Sequence, residues 1–164
     1  MRASLKHSSG AAEAANTDLA APGPAADPNP NRLLVLDDNE EFVNLVQRHG
    51  RALGFDTASA GNTPAFIAGY RKCKPSMVLL DVFLETDMCT SVIDFLAREG
   101  FKGPIIIVSG HDYRFLVSVA GIARQMGLKI LETVEKGRNV DHIPALLMRG
   151  RLESASAAAV LVRE

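Results

Sequence analysis

The chain has 164 residues, enough for one domain with a buried core and flanking tails. A formal net charge of −1, with 23% charged residues, excludes a strongly basic surface for nucleic acid or for an anionic membrane. The two cysteines, Cys73 and Cys89, form no CxxC motif, which favours reduced thiols and a cytoplasmic location.

The first 31 residues have the composition of a tail. Nine are alanine and four are proline, and they contain no continuous apolar run of the kind found in signal peptides and membrane spans. We therefore expect residues 1–31 to lie outside the fold and residues 32–150 to form the domain. Residues 151–164 are expected to be a second tail or an extension of the last helix.

Short aliphatic runs alternate with helical patterns through the rest of the chain. The runs predict five strands: Leu33 to Leu36, Phe55 to Ala58, Met77 to Leu80, Ile105 to Val108 and Leu128 to Val134. The second run is the least apolar, which is typical of an edge strand. The helices are predicted from Phe42 to Leu53, Thr63 to Cys73 with Thr63 as N-cap, Val92 to Leu96, Tyr113 to Met126 and Val140 to Gly150. This alternation predicts a parallel sheet with helices on both faces.

Polar residues close three of the predicted strands. Asp37 and Asp38 follow the first strand, Asp81 follows the third, and Ser109 follows the fourth. The carboxyl ends of parallel strands share one edge of a sheet, so these side chains are expected to line one crevice. Crowded carboxylates repel one another, and a hard divalent cation such as Mg2+ relieves that repulsion. The pattern therefore indicates phosphoryl transfer.

Each of these residues also has an ordinary interpretation. Asp37 or Asp38 could cap the first helix, with Glu41 completing a capping box, and one aspartate could cap while the other faces a metal. Asp81 could be a solvated loop residue, and Ser109 could be a turn residue before Gly110.

Taken in order, these motifs resemble the receiver domain of two-component response regulators, over residues 32–150. The resemblance implies a flavodoxin-like (βα)5 three-layer sandwich with strand order 2-1-3-4-5. The segment Met126 to Leu131 resembles most the receivers attached to EAL-type cyclic-di-GMP phosphodiesterases, although no such output domain is present. We therefore expect a stand-alone receiver.

The resemblance also assigns roles in metal binding. It implies that Asp81 is the phosphoacceptor and a metal ligand. It further implies that Asp38 binds Mg2+ directly, that Asp37 does so through water, and that Phe83 contributes its backbone carbonyl.

The phosphoryl group has its own set of implied contacts. The resemblance implies that the Ser109 hydroxyl and the Gly110 backbone N–H bind phosphoryl oxygens, and that Lys136 places a positive charge on them. His111 lies where receivers tune the approach of hydrolytic water, although a lone loop histidine is more often a satisfied surface group.

The chain departs from the family pattern at three places. Gly137 follows the lysine where proline is usual, Met88 and Cys89 replace an Asp-Gly pair, and Thr133 replaces an aromatic residue that reports phosphorylation. These departures motivate an alternative, a receiver-like scaffold or adaptor that works without phosphorylation. A second alternative is a small phosphatase or hydrolase that uses the same acidic crevice.

The resemblance implies a mode of signalling rather than an enzyme with an external substrate. A histidine kinase or a histidine phosphotransfer protein would donate the phosphoryl group. The change would reach the face formed by helix 4, strand 5 and helix 5, which would bind a downstream protein or a second copy of the chain.

Overall fold

Five parallel strands form one sheet in the computed structural model, which describes residues 29–85, 89–110 and 112–161. The strands are β1 (Arg32–Leu36), β2 (Asp56–Ala60), β3 (Met77–Asp81), β4 (Pro104–Ser109) and β5 (Lys129–Glu135). Their order is β2-β1-β3-β4-β5, which confirms the flavodoxin-like class and places β2 at an edge.

Helices cover both faces of the sheet. They are α1 (Glu40–Ala52), α2 (Thr63–Cys73), α3 (Thr90–Arg98), α4 (Tyr113–Gln125) and α5 (Ile143–Leu161), the last preceded by a 3-10 turn at Val140–His142. Side chains alternate between the faces along each strand, so Leu34 and Leu36 pack in the α2–α4 layer while Leu33 and Val35 pack in the α1–α5 layer. Both layers are apolar, which explains the continuous aliphatic runs.

Two helices are capped by residues other than those that the sequence suggested. The side chain of Asn39 accepts a hydrogen bond from the N–H of Phe42 at 2.9 Å, so the N-cap of α1 is Asn39 and neither preceding aspartate. Asn62 likewise caps α2 by accepting from the N–H of Ala65 at 2.9 Å, and the prediction of Thr63 as N-cap was wrong. Asparagine caps well because its side-chain oxygen reaches a free N–H of the first turn.

The described residues form contacts and helix on both sides of the predicted domain bounds, 32 and 150. The side-chain amide of Asn29 donates to the carbonyl of Gly54 at 3.0 Å, and the carbonyl of Asn31 accepts from the N–H of Asp56 at 2.9 Å. At the other end α5 continues past Gly150 to Leu161. Residues 1–28 of the predicted tail lie outside the described residues. Within the ranges that are described, no helix is both long and apolar enough to cross a membrane.

The pairing between β4 and β5 contains one irregularity. Ile105 pairs with Ile130, whereas the next residue, Ile106, pairs with Glu132, so Leu131 is an extra residue in β5. From there the pairing continues to the last residues of both strands, Ser109 and Glu135. The residue that follows β5 is Lys136.

Candidate functional site

The carboxylates that close β1 and β3 meet at one edge of the sheet. These strands are neighbours, and Leu36 pairs with Leu80, so Asp37 and Asp81 lie side by side. Both are buried, with exposures of 3% and 4%. One carboxylate oxygen from each of Asp37, Asp38 and Asp81 lies within 4.8 Å of the other two. The structure therefore brings together all three predicted carboxylates.

Backbone N–H groups orient these three side chains. The N–H of Asn39 donates to Asp37 Oδ1 at 2.9 Å, and the N–H of Phe83 donates to Asp81 Oδ1 at 3.0 Å. Asp38 Oδ2 accepts from the N–H of Glu85 at 2.7 Å. The first two contacts span two residues, as in Asx turns, and each fixes one oxygen of a carboxylate. The other oxygens of Asp37 and Asp81 both contact the side chain of Lys136.

Lys136 lies between those two oxygens. Its Nζ is 2.5 Å from Asp37 Oδ2 and 2.7 Å from Asp81 Oδ2. The backbone N–H of Lys136 donates to the carbonyl of Ser109 at 2.8 Å, which anchors the start of the loop to β4. Lys136 therefore reaches the site with glycine, rather than proline, as the next residue.

The site carries more negative than positive charge. Burial raises the pKa of Asp37 above its ordinary value, and the nearby Asp81 adds to the rise, against the opposing effects of Lys136 and the Asn39 N–H. Burial acts to lower the pKa of Lys136, but its contacts with Asp37 and Asp81 outweigh that effect and the pKa is raised. Among the described residues, one ammonium group thus contacts two members of a cluster of three carboxylates.

The residues present fit a divalent cation. Asp37 Oδ2 is buried and has no hydrogen bond of good geometry within the described residues, so its only compensation there is the ion pair with Lys136. Oxygen ligands of this kind, close together and partly open to water, are those that Mg2+ or Ca2+ prefers. A cavity of about 460 Å³ adjoins them, lined by Asp38, Asn39, Asp81, Phe83, Leu84, Glu85, Gly110 and Lys136.

The remaining predicted residues occupy different positions around this cavity. Gly110 lines the cavity directly. Ser109 is fully buried at the end of β4, where its carbonyl binds the Lys136 backbone. Phe83 directs its N–H to Asp81, and the role of its carbonyl stays a prediction. His111 and Met88 lie outside the described residues.

Two aromatic residues near the site, Phe42 and Phe115, were not predicted to have a role there. Lys136 Nζ lies 4.5 Å from the ring centroid of Phe42, and the ring of Phe83 packs on Phe115 with centroids 4.8 Å apart. The sequence indicated Phe42 only as a core residue of the first helix. Its position one turn after the acidic pair is the one signal that could have suggested more.

Curated relatives match about half of the chain, over 53% and 51% of its residues for two of them. No protein-family model matches the chain. A curated relative, "Probable transcriptional regulatory protein TcrX" of Mycobacterium tuberculosis, is 30% identical over 87 residues, which are 53% of this chain and 37% of the relative. The chain thus spans little more than a third of that relative's length.

Solved structures extend the comparison to the fold. A response regulator from Colwellia psychrerythraea matches with a TM-score of 0.60 and 25% identity, covering 73% of this chain and 94% of that one. A response regulator protein from Burkholderia pseudomallei, with a phosphorylated aspartic acid, a calcium ion and citrate, matches with a TM-score of 0.58 and 23% identity, covering 79% and 74%. These matches confirm the resemblance to response regulator receiver domains. The finer resemblance to EAL-linked receivers stays a prediction.

Proposed function

We propose that this domain is a phosphoacceptor that receives a phosphoryl group on Asp81 from a histidine kinase or a histidine phosphotransfer protein. The observation that carries the proposal is the pairing of Asp81, a buried carboxylate, with Lys136 at 2.7 Å beside two further carboxylates. Buried, oriented carboxylates beside a cation are suited to nucleophilic attack on phosphorus. A cytoplasmic location and signalling as a stand-alone receiver belong to the same proposal.

The chemistry assigns a task to each side chain. Asp81 Oδ2 attacks the phosphorus of a phosphohistidine, so an O–P bond forms as the N–P bond breaks and the imidazole leaves. Lys136, which contacts Asp81 in this structure, transfers its ammonium contact to the new phosphoryl oxygens. The Ser109 hydroxyl and the Gly110 N–H are proposed to bind the same oxygens.

Asp37, Asp38, Asp81 and the Phe83 carbonyl are the groups we propose to hold a divalent cation, and we propose Mg2+. When bound, that cation would neutralise the carboxylates and the incoming phosphoryl oxygens. Without it, each added negative charge would be repelled by three carboxylates that already lie within 4.8 Å of one another.

The surface for a partner is proposed to be the face formed by α4, β5 and α5. Every large hydrophobic side chain that is exposed among the described residues lies on α4, at its C-cap or on α5. These are Tyr113, Val117, Ile122, Met126, Met148, Leu152 and Val160. Exposed apolar side chains concentrated on two helices are typical of a protein-binding surface. The partner would be a downstream protein or a second copy of this chain, with no role for nucleic acid or membrane.

One contact joins the candidate phosphoacceptor loop to this face, although β5 has threonine where the family has an aromatic residue. Phe83 follows the phosphoacceptor by two residues, and its ring packs on Phe115 in the first turn of α4. A movement of Phe83 in the loop after β3 would therefore displace the first turn of α4 through this contact. This contact supports a switch even though Thr133 replaces the family's aromatic residue.

Phosphorylation by a small donor tests the proposal. The protein would be incubated with acetyl phosphate and Mg2+, and its intact mass and the modified peptide determined, with Asp81→Asn as the control. A single adduct that maps to Asp81 and is absent from the control is expected. No adduct would favour the scaffold alternative, and turnover of unrelated phosphoesters would favour the hydrolase.

A further inference from the structure

Within the described part of the chain, the ammonium group of Lys136 has three charged or aromatic neighbours. Two are the carboxylates of Asp37 and Asp81, and the third is the face of Phe42, whose centroid is 4.5 Å from Nζ. An ammonium group has three N–H donors, and an aromatic face attracts a cation through its quadrupole. The side chain of Lys136 is only 18% exposed, so this attraction is little weakened by water.

The ring of Phe42 is fixed in place by its surroundings. Phe42 lies in the first turn of α1, where its N–H binds the capping Asn39, and only 8% of the residue is exposed. Its ring packs in the α1–α5 layer with Val35 and Val46. By contrast, the residues that follow Lys136, at positions 137–139, are all exposed. The support for the lysine side chain therefore comes from α1 and not from its own loop.

The three contacts differ in what can replace them. A divalent cation at Asp37 and Asp81 competes with the ammonium for the same oxygens, whereas the apolar face of Phe42 offers no oxygen ligand to such a cation. The ring is consequently the one neighbour that the lysine keeps when the carboxylates change partner.

We propose that Phe42 is a positioning residue, which holds the Lys136 ammonium inside the site while the carboxylates exchange it for a divalent cation and phosphoryl oxygens. This inference rests on the proposed function, because it concerns the same site. Phe42 acts through Lys136 and touches no reacting atom. Loss of its negative face is expected to weaken capture of a phosphoryl mimic about five- to thirtyfold, the range that a partly to fully desolvated cation–π contact supports.

Ring-fluorinated phenylalanines provide the test, since they retain the shape of the ring while the negative charge on its face decreases. They would be incorporated at position 42, with Phe42→Tyr and Phe42→Leu as further variants. The dissociation constant for beryllofluoride in the presence of Mg2+ should rise in steps with fluorination, stay near wild type for tyrosine, and be highest for leucine. Equal affinity across the fluorinated series would overturn the proposal.

Two controls separate this inference from a structural effect and from the proposed function itself. Phe66 is fully buried in the other layer, so the same fluorinated residues at position 66 should leave the affinity unchanged. The second readout is the NMR shift of the Lys136 ε-methylene, which the ring of Phe42 should move upfield in the wild type but not in Phe42→Leu.

That shift should persist when Mg2+ alone is added, and its loss on adding Mg2+ would contradict the proposal without any phosphoryl mimic. A wild type that binds no beryllofluoride but keeps the shift would count against the proposed function only.

Discussion

Phe83 and Phe115 hold their rings 4.8 Å apart, with 32° between the planes, and thereby join the loop after β3 to the first turn of α4. The same Phe83 donates its backbone N–H to Asp81 at 3.0 Å. Two contacts thus connect the candidate phosphoacceptor to a helix that carries exposed apolar side chains. The connection is short, and it can be broken without touching the carboxylates.

The first prediction concerns this connection. Phe115→Leu should still bind beryllofluoride, because the carboxylates and Lys136 remain, but the change in hydrogen exchange across α4 on binding should shrink. The variant should lose about 0.5–1.5 kcal/mol of stability, the usual contribution of an aromatic pair. Phe95→Leu is the matched control, since Phe95 packs against Tyr70 away from the site, with ring centroids 5.2 Å apart. An undiminished response of α4 in Phe115→Leu would exclude this route.

The second prediction concerns pH and Asp37. Its pKa in the folded state lies above its ordinary value of about 3.9, so the folded protein binds more protons than the unfolded chain as pH rises from that value. Stability therefore falls with rising pH through that window, and the loss persists at neutral pH. Asp37→Asn removes it.

In metal-free buffer at pH 7, thermal melts of Asp37→Asn should give a higher Tm than the wild type. The difference should shrink as the pH approaches 4. A variant that is less stable than the wild type at pH 7 would show that the ion pair with Lys136 outweighs burial of the carboxylate.

The third prediction concerns the metal. Mg2+ added to the wild type should shift the NMR signals of residues 37, 38 and 81. Asp38→Asn should weaken Mg2+ binding by about 10- to 100-fold, because loss of a residue that merely supports a metal ligand already costs that much affinity. Glu40→Gln is the matched control, because Glu40 is an exposed acid in the first turn of α1 and is not one of the three clustered carboxylates. Equal weakening by both substitutions would mean that general charge, not coordination, attracts the cation.

The fourth prediction defines where the domain begins. Removal of residues 1–28 should leave the midpoint of urea unfolding unchanged. Removal of residues 1–31 also deletes three hydrogen bonds to retained residues: from Asn29 to Gly54, from Arg32 to Asn29 and from Asp56 to Asn31. Each such bond contributes about 1 kcal/mol, so the longer truncation should be about 3 kcal/mol less stable. A loss of stability on the shorter truncation would mean that the first 28 residues contact the domain.

Much of this architecture follows from the sequence because each aliphatic run ends in a polar residue. Asp81 illustrates the point: four buried apolar residues precede it, and the end of such a run is also the edge of a parallel sheet. The run at β2 was harder to delimit. It was predicted as Phe55 to Ala58, whereas the strand is Asp56–Ala60, because its ends are set by pairing with β1 and not by apolar contrast.

Contacts between distant segments could not be predicted from the chain itself. The pairing of Phe83 with Phe115 depends on the packing of α4, which no local pattern encodes. The choice of Asn39 over Asp37 or Asp38 as N-cap is similar, because asparagine and aspartate both cap well and only the path of the backbone decides between them. That choice leaves both aspartates for the acidic site.

The extra residue in β5 decides which way the lysine faces. Ile130 packs in the α2–α4 layer and Val134 in the α1–α5 layer, although strict alternation over four residues would put both on the same side. Leu131 therefore turns the strand over partway along its length. Lys136, two residues after Val134, emerges on the side of α1, where Phe42 and Asp37 lie. If the same residues paired with β4 without this irregularity, alternation would continue unbroken from Ile130, Val134 would face the α2–α4 layer, and Lys136 would emerge on the opposite face of the sheet. The positive charge of the site therefore depends on one extra residue in β5, a strand that supplies no carboxylate to the cluster.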